Sequence, residues 1–246
     1  MHHVPALVLA AGRSTRVAGA LGGRSKVLLD IGGATVLERN LRWLAQSGVT
    51  SVWINLHYRP DDVREVAGDG SRLGLTVRYS EEPELLGTAG AFRALAAHWM
   101  STALVVYGDN VSAFDLARLM EHHSSSGSVA TIALFDSKIH ANSGIAGGKV
   151  IVENGRVVTF AEGGDASQDS SLVNAGVYAL EPAALEYVPA SPAPDFGRDV
   201  FPALLAAGQR VTAHLIEPEA YCFGIDTVES LERTRAVFDV GSNQTR

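Results

Sequence analysis

Cysteine is nearly absent from this sequence, since Cys222 is the only one among 246 residues. A lone cysteine excludes an intramolecular disulfide and a cysteine-based metal cluster. Long apolar runs are missing too, because no segment approaches the roughly 18 apolar residues of a membrane-spanning helix. The N-terminus lacks a charged region followed by a long apolar one, which is the pattern of a secretion signal. We therefore expect a cytoplasmic protein with no membrane partner.

Basic residues are also in short supply. The 20 lysines and arginines stand against 27 acidic residues and give a net charge of −7. This balance argues against a nucleic-acid partner, whose phosphates need a basic surface, although one nucleotide needs only a few cations. The sequence contains neither the HExxH motif of zinc enzymes nor the GxSxG motif of serine hydrolases. The P-loop motif is absent, and GxGxxG does not follow the first strand.

Residues 4–26 combine an apolar strand with a cationic loop. Residues 4–11 form a compact apolar run, which predicts a buried strand. The loop that follows is rich in glycine and serine and carries Arg13, Arg16, Arg24 and finally Lys26. Such a loop presents backbone N–H groups and cations to phosphate, because glycine lets the backbone approach closely.

Strands and helices alternate through the first half. The pattern predicts strands at 51–56, 75–79 and 103–107, and a short strand with a turn at 27–33. It predicts helices at 35–48, from residue 59 onward, and at 87–99. This alternation indicates a parallel sheet with helices on both faces, whose ligands bind at the carboxyl ends of the strands. The first loop, the 80–90 segment and Gly108–Asp109 should therefore meet at one edge.

The second half reads differently. Asn154-Gly155 predicts a hairpin over 149–160, and further strands are expected at 129–135 and 172–179. The remaining predicted helices are 182–187, 199–207 and 227–238, and His122-His123 is expected on a solvated helix face. We predict one domain, residues 1–240, with a nucleotide lobe (1–111), a lobe for a second substrate (112–240) and a frayed tail (241–246).

The first loop resembles a known signature. The run LAAGRSTRVAGALGGRSKVLL is similar to the LAAGxGTR and PKxLL pattern of sugar-1-phosphate nucleotidyltransferases. Ser14 replaces a glycine of that pattern, and Ser25 replaces its proline. The resemblance implies an α/β fold, a Rossmann-like mixed and mostly parallel sheet in an αβα sandwich. It also implies that nucleotide phosphates contact Ala10, Ala11, Gly12, Arg13, Ser14 and Thr15.

Two aspartates resemble the metal ligands of that family. Asp109 lies in a Gly-Asp-Asn segment after the fourth strand, and Asp226 lies in Gly-Ile-Asp-Thr, which is similar to the family's GIDTPE. The resemblance implies that both hold Mg²⁺, which often takes one or two carboxylates plus substrate phosphates. The alternative is that Asp109 and Asp226 merely cap the helices that follow them.

The 80–91 segment resembles the family's LGTAGA stretch, which packs on the nucleobase. Its expected nucleotide contacts are Glu82, Leu86, Gly87 and Thr88, with Gly87 and Gly90 allowing close approach of the base or ribose. The alternative is an ordinary helix N-terminus capped by Thr88.

A further set of residues resembles the sugar-phosphate side, although Ser143 and Gly163 depart from its tyrosine and lysine. The implied contacts are Lys26, Asn110, Gly144, Glu162 and Asn174. The segment 195–202 resembles another family stretch, to which no direct role is assigned.

The resemblance implies a reaction between a nucleoside triphosphate and a sugar 1-phosphate, catalysed by Arg16, Lys26 and Asp109 with Mg²⁺. Three rivals stay open: a cytidylyltransferase acting on another phosphorylated alcohol or a phosphonate, a glycosyltransferase of related fold, and a non-catalytic nucleotide-sugar sensor. The oligomeric state also stays open, with a homo-oligomer as one alternative. The absence of the C-terminal extension carried by regulated relatives leads us to expect a simple catalytic domain.

Glu82 bears on the choice of base. Residues 79–88 resemble the guanylyltransferase form of the segment, in which a glutamate replaces the glutamine of uridylyl and thymidylyl relatives. A carboxylate offers only acceptors, which suit the adjacent N1–H and N2–H₂ donors of guanine. The sequence therefore favours GTP, with a mannose- or heptose-type 1-phosphate as the acceptor. The alternatives are UTP or dTTP with a hexose 1-phosphate, or Glu82 as an ordinary surface acid among Glu81 and Glu84.

Overall fold

The strands of this chain form one large mixed sheet and one small sheet. The computed structural model describes residues 4–12, 23, 25–142, 147–162 and 170–242. The strands found there are β1 (Ala6–Leu9), β2 (Ser51–Leu56), β3 (Thr76–Glu81), β4 (Ala103–Tyr107), β5 (Asn110–Ala113), β6 (Ala130–Asp136), β7 (Ala141–Asn142), β8 (Lys149–Glu153), β9 (Arg156–Ala161), β10 (Leu172–Leu180), β11 (Val211–Leu215) and β12 (Tyr221–Gly224). Within those residues, nine of the strands form the large sheet in the order β3-β2-β1-β4-β10-β6-β11-β9-β8, and the small sheet has the order β5-β12-β7.

The large sheet is parallel on the side that carries β1. Strands β2 and β4 flank β1 in parallel, and β3 continues this arrangement beyond β2. Strand β10 then runs antiparallel between β4 and β6. The mixed sheet predicted by the resemblance is therefore confirmed. Parallel strands end at the same edge, so the segments that follow β1, β3 and β4 lie next to one another.

Helices cover both faces of this sheet. They are α1 (Val36–Gln46), α2 (Pro60–Ala67), α3 (Thr88–Ala94), α4 (Leu116–Ser126), α5 (Phe201–Ala206) and α6 (Val228–Ser242). Side chains alternate along β1, because Ala6 and Val8 pack in the core with α1 and α2, whereas Leu7 packs in the core with α3 and α5. Within the described ranges, no helix is long and apolar enough to cross a membrane.

The small sheet joins two distant parts of the chain at the edge of the large one. Strand β12 pairs antiparallel with β5, and Gly224 lies opposite Asn110. This pairing brings the residues before β5 close to the residues after β12. Helix α6 adds Leu231 to a small core that also contains Val111 and Phe223.

Several local predictions need correction. The strand expected at 27–33 is wrong: Lys26–Leu28 form a 3₁₀ turn, closed by the bond from the Leu28 N–H to the Ser25 carbonyl at 3.0 Å. The helix expected within 87–99 is confirmed at Thr88–Ala94 and is followed by a 3₁₀ turn, whereas the helix expected at 182–187 is 3₁₀. The helix expected at 199–207 begins as a π-helical turn, Phe196–Val200. Apolar runs as short as these pack equally well as a strand, an α-helix or a 3₁₀ turn. The hydrophobic pattern alone therefore does not distinguish these conformations.

The prediction of a solvated face for the two adjacent histidines is wrong for His123, which is 2% exposed. Its Nδ1 lies 2.8 Å from the Thr131 hydroxyl, and its Nε2 lies 3.0 Å from the Glu181 carboxylate. A carboxylate only accepts, so Nε2–H donates to Glu181 and Nδ1 accepts from Thr131. Burial lowers the pKa of His123, and the bond to Glu181 only partly offsets this.

We expect this histidine to make the fold sensitive to acid. The unfolded imidazole titrates near ~6.5 and the folded one lower, so below ~6.5 the unfolded state binds more protons. The free energy of unfolding should therefore fall as the pH drops from about 7 towards 5, and His123→Gln should flatten that slope. Urea unfolding at several pH values measures both slopes. An equally steep loss in His123→Gln would contradict this assignment.

Candidate active site

A cavity of about 510 Å³ opens where β1, β3 and β4 end. The first loop, the 80–90 segment and Asp109 all contribute to it, so the prediction that these segments meet at one edge is confirmed. The lining residues are Leu9, Ala10, Ala11, Gly12, Ser25, Lys26, Val27, Asn55, Glu82, Leu85, Gly87, Thr88, Tyr107, Asp109, Ala193 and Asp226.

An ionic cluster of one lysine and two aspartates lines this cavity. The Lys26 Nζ lies 2.6 Å from Asp226 Oδ1 and 3.5 Å from Asp109 Oδ2. The lysine side chain is only 11% exposed, whereas about a third of each aspartate side chain faces the cavity. Two carboxylates thus converge on one position that already attracts a cation.

The small sheet explains why these residues meet. Asp109 immediately precedes β5, and Asp226 follows β12 by two residues, so the Gly224–Asn110 pairing brings both to one place. Lys26 opens the 3₁₀ turn that follows the first loop. Asp226 is not the cap of α6, because the Ser230 N–H bonds to the Thr227 hydroxyl at 3.0 Å. The next helix after Asp109 is capped by Asp115, so the capping alternative is wrong for both aspartates.

The charges around Asp109 influence its ionisation in opposite directions. Burial raises the pKa of Asp109, the Lys26 ammonium lowers it, and the negative charge of Asp226 raises it again. Among the described residues, no three His, Cys, Asp or Glu side chains are grouped to hold a metal ion. A divalent cation here would therefore rest on these two carboxylates and on oxygens of a bound phosphate, which is a coordination that suits Mg²⁺.

Glu82 is not a surface acid, because it is 4% exposed whereas Glu81 and Glu84 are exposed. Its Oε1 accepts from the Asn55 side-chain amide at 2.8 Å, and its Oε2 accepts from the Leu86 N–H at 3.0 Å. Each carboxylate oxygen has room for two donors, so each retains one acceptor position. As far as contacts between described residues go, the carboxylate is thus fixed at the cavity wall with one acceptor position left on each oxygen.

Thr88 does not cap α3, because the N-cap residue is Gly87 and no side-chain cap bond is present. The Thr88 hydroxyl donates instead to Asp195 Oδ2 at 2.7 Å. Gly87 has φ +74°, and a Cβ there would lie 2.5 Å from the Pro194 carbonyl oxygen. The close approach that this glycine permits is therefore to the chain at 193–194.

Of the expected sugar-phosphate residues that the structure describes, Lys26 lines the cavity, whereas Asn110, Glu162 and Asn174 do not. Asn174 is buried, and its amide donates to the Tyr178 hydroxyl at 2.7 Å while its Oδ1 accepts from the Gly176 N–H at 2.9 Å. The Asn110 side chain donates to the Ala175 carbonyl at 3.3 Å. Both asparagines thus hold the 174–176 stretch, and each keeps hydrogen-bonding capacity for a ligand.

The structure brings together most of the predicted site residues that it describes. Nine of them line the cavity: Ala10, Ala11, Gly12, Lys26, Glu82, Gly87, Thr88, Asp109 and Asp226. Four described ones do not: Leu86, Asn110, Glu162 and Asn174. The predictions for Arg13, Ser14, Thr15, Arg16 and Gly144 lie outside the described residues, as do the departures at Ser143 and Gly163.

Asn55 is a site residue that the sequence reasoning missed. Its Oδ1 accepts from the Ala10 N–H at 2.7 Å, and its amide donates to Glu82, so it joins the end of β1 to the 80–90 segment. The available signal was a polar residue near the end of an otherwise apolar strand. Tyr107 and Ala193 also line the cavity without having been predicted.

We expect Asn55→Ala to lower the free energy of unfolding by about 2–3 kcal/mol, because it leaves a buried N–H and a buried carboxylate each short of a partner. Guanidinium unfolding measures the loss. Gln46→Ala, at an exposed position at the end of α1, is the control and should change stability by less than about 0.5 kcal/mol. A loss of less than about 0.5 kcal/mol in Asn55→Ala would contradict the role of Asn55 in joining Ala10 to Glu82.

Comparison with known proteins gives relatives of this chain by sequence. The chain is 34% identical to the mannose-1-phosphate guanylyltransferase of Mycobacterium tuberculosis over 209 residues, which are 84% of this chain and 57% of the relative. It is 28% identical to the UTP–glucose-1-phosphate uridylyltransferase of a Synechocystis strain over 218 residues, which are 82% of this chain and 55% of the relative. The chain thus spans little more than half the length of these curated relatives.

The fold recurs in solved structures. The inositol-1-phosphate CTP transferase of T. maritima superposes with a TM-score of 0.80, at 17% identity, over 100% of this chain and 98% of that one. The family model described as nucleotidyl transferase matches residues 5–242. With nearly its whole length matched, the chain belongs to the nucleotidyl transferase family.

Proposed function

We propose that this protein transfers a guanosine monophosphate group from GTP to a sugar 1-phosphate, forming a nucleotide sugar and pyrophosphate. The observation that carries the proposal is the ionic cluster of Lys26, Asp109 and Asp226 in the same cavity as Glu82. Family membership supports nucleotidyl transfer, and a relative named mannose-1-phosphate guanylyltransferase supports GTP and a mannose-type acceptor.

The reaction is an in-line substitution. An oxygen of the sugar phosphate forms a bond to the α-phosphorus of the triphosphate, the bond between the α-phosphorus and the bridging oxygen breaks, and pyrophosphate leaves with the electron pair. No covalent enzyme intermediate is required, so the protein contributes positioning and charge neutralisation. Lys26 holds the attacking phosphate, and Arg16 stabilises charge on the α-phosphate and the departing pyrophosphate. Asn110, Gly144, Glu162 and Asn174 contact the sugar phosphate.

Asp109 and Asp226 would hold a Mg²⁺ ion, because both carboxylates lie beside the same ammonium group and about a third of each side chain remains exposed. A bound Mg²⁺ would neutralise charge on the triphosphate. The Lys26 ammonium contacts the same two carboxylates, so it stays beside the region where the phosphates react. The pair of aspartates therefore has two tasks, to hold the cation and to orient the lysine.

Glu82 supports the choice of guanine. Its two unused acceptor positions match the adjacent N1–H and N2–H₂ donors of the guanine edge. Uracil and thymine present one N–H between two carbonyls, so one carbonyl would face the carboxylate unpaired. Such a buried mismatch costs about 1–3 kcal/mol, a factor of roughly ten to a hundred in affinity. The hydrogen bonds from Asn55 and Leu86 hold the carboxylate in the position from which it discriminates between the bases.

We expect Asp109→Asn and Asp226→Asn each to lower kcat by about 10²-fold or more with little change in melting temperature, because each removes one charge from the cation position. Pyrophosphate release in the presence of Mg²⁺ measures the loss. Asp61→Asn is the matched control, since the Asp61 side chain is 96% exposed. Normal Mg²⁺-dependent turnover in either variant would remove that aspartate from the mechanism.

We expect the ratio of kcat/KM for GTP to kcat/KM for UTP to fall by roughly ten- to a hundredfold in Glu82→Gln, because one acceptor becomes a donor. Both partners of Glu82 are donors, so the amide NH₂ of a glutamine would face one of them and lower the stability of the fold. The ratio of the two kcat/KM values does not depend on the fraction of enzyme that is folded, so this loss does not affect it. Glu84→Gln, at an exposed position in the same segment, is the control.

The parent enzyme decides the assignment of the base. Measurement with GTP, UTP, dTTP, CTP and ATP should rank GTP first. A parent that prefers UTP, dTTP or CTP, or a Glu82→Gln variant with an unchanged ratio, would overturn the choice of guanine while leaving nucleotidyl transfer intact.

A further inference from the structure

The chain at 193–197, here called the 193–197 turn, lies against the start of α3. The Pro194 carbonyl accepts from the Ala89 N–H at 3.0 Å, and Ala193 lines the cavity itself. A Cβ on Gly87 would lie 2.5 Å from that Pro194 oxygen, and a Cβ on Gly90 would lie 3.4 Å from the Pro194 ring. Gly87 therefore makes room for this turn, whereas Gly90 is in ordinary van der Waals contact with it.

Asp195 fastens the turn to the same segment. Its Oδ2 accepts from the Thr88 hydroxyl at 2.7 Å, and its Oδ1 accepts from the N–H groups of Gly197 at 2.9 Å and Arg198 at 3.1 Å. The Thr88 hydroxyl in turn accepts from the Phe196 N–H at 3.0 Å. The Thr88 hydroxyl thus donates one hydrogen bond to the turn and accepts another from it. A shift of the turn would therefore displace Thr88.

The other side of the turn contacts Glu162. A Cβ on Gly197 would lie 2.3 Å from Glu162 Oε2, and a Cβ on Gly148 would lie 2.7 Å from the same atom. The carboxylate thus occupies a slot between two glycines. Burial raises the pKa of Glu162, and the nearby negative charge of Asp195 raises it further.

The aromatic core holds the turn rigidly. Phe196 is fully buried and packs against Phe92, Tyr178 and Phe201, with ring centroids 5.9, 5.4 and 5.9 Å away. Tyr178 also accepts the hydrogen bond from Asn174 at 2.7 Å. One anchored turn therefore contacts the nucleotide segment on one side and Glu162 on the other, and it reaches Asn174 only through Tyr178.

We propose that the 193–197 turn is a positioning element that sets the distance between Thr88 on the nucleotide side and Glu162 on the sugar-phosphate side. The inference rests on the function proposed above and adds residues to it. Asp195 and Gly197 act through Thr88 and Glu162 and do not themselves touch the reacting atoms. They relate the two substrates to each other, and the in-line reaction needs this geometry.

The sugar side is tested with Gly197→Ala in two backgrounds. A Cβ at Gly197 displaces the Glu162 carboxylate, so the KM for mannose 1-phosphate should rise about tenfold while the KM for GTP stays unchanged. In a Glu162→Ala background the same substitution should raise the KM for mannose 1-phosphate much less, because only the contact with the Phe160 ring remains, where the new Cβ would lie 2.8 Å from Cε1. Equal rises in both backgrounds would mean that Gly197 is only a folding requirement.

The nucleotide side is tested with Asp195→Ala and Thr88→Val. Asp195→Ala should raise the KM values for both GTP and mannose 1-phosphate severalfold, because the turn loses its bond to Thr88 and its own internal bonds. In the Thr88→Val background Asp195→Ala should no longer change the KM for GTP, whereas the KM for mannose 1-phosphate should still rise. Ser191→Ala, on the exposed connector before the turn, is the control and should change neither KM.

The outcomes separate this inference from the proposed function. Turnover by the parent with unchanged KM values in both Gly197→Ala and Asp195→Ala would overturn only the role of the turn. No pyrophosphate release by the parent with any nucleoside triphosphate and any sugar 1-phosphate would overturn the proposed function. If the parent prefers another nucleoside triphosphate and sugar 1-phosphate, these two substrates are used in place of GTP and mannose 1-phosphate. The double-mutant cycles of Gly197 with Glu162 and of Asp195 with Thr88 then decide the role of the turn.

Discussion

The contact of the Lys26 ammonium with Asp226 and Asp109, at 2.6 and 3.5 Å, is the interaction on which the rest of the site depends. It joins residues from the beginning, the middle and the end of the chain. A buried lysine is stable only beside compensating charge, and two carboxylates close together need a cation between them. The Gly224–Asn110 pair of the small sheet therefore brings the two carboxylates to the lysine, in addition to packing the strands together.

The large sheet organises the remainder around this cluster. Its parallel strands end at one edge, where Asn55 joins the end of β1 to Glu82 and so fixes the only buried acid of the 81–84 stretch. The 193–197 turn then closes the cavity from the other half of the chain through Thr88. Each of these contacts fixes the position of a group and does not make it more reactive. The proposed transfer requires positioning above all.

The sequence predicted the strand ends well, because short apolar runs bounded by glycine leave few alternatives. It could not predict the conformation of Lys26–Leu28, since an apolar turn and an apolar strand share one pattern. The pairing of Asp109 with Asp226 came from resemblance alone, because the short strand β12 gives no clear periodic signal. Glu82 and its neighbours Glu81 and Glu84 look alike in sequence, and only the fold buries one of them. The role of Asp195 was missed because its partner Thr88 lies 107 positions away.

The most direct measurement of the central claim is pyrophosphate release across a panel of nucleoside triphosphates and sugar 1-phosphates, with formation of the nucleotide sugar followed in the same samples. The account predicts that release requires both substrates and Mg²⁺, equals the nucleotide sugar formed, and is fastest with GTP and a mannose- or heptose-type 1-phosphate. Release of pyrophosphate without a sugar phosphate, or no release with any pair, would contradict it.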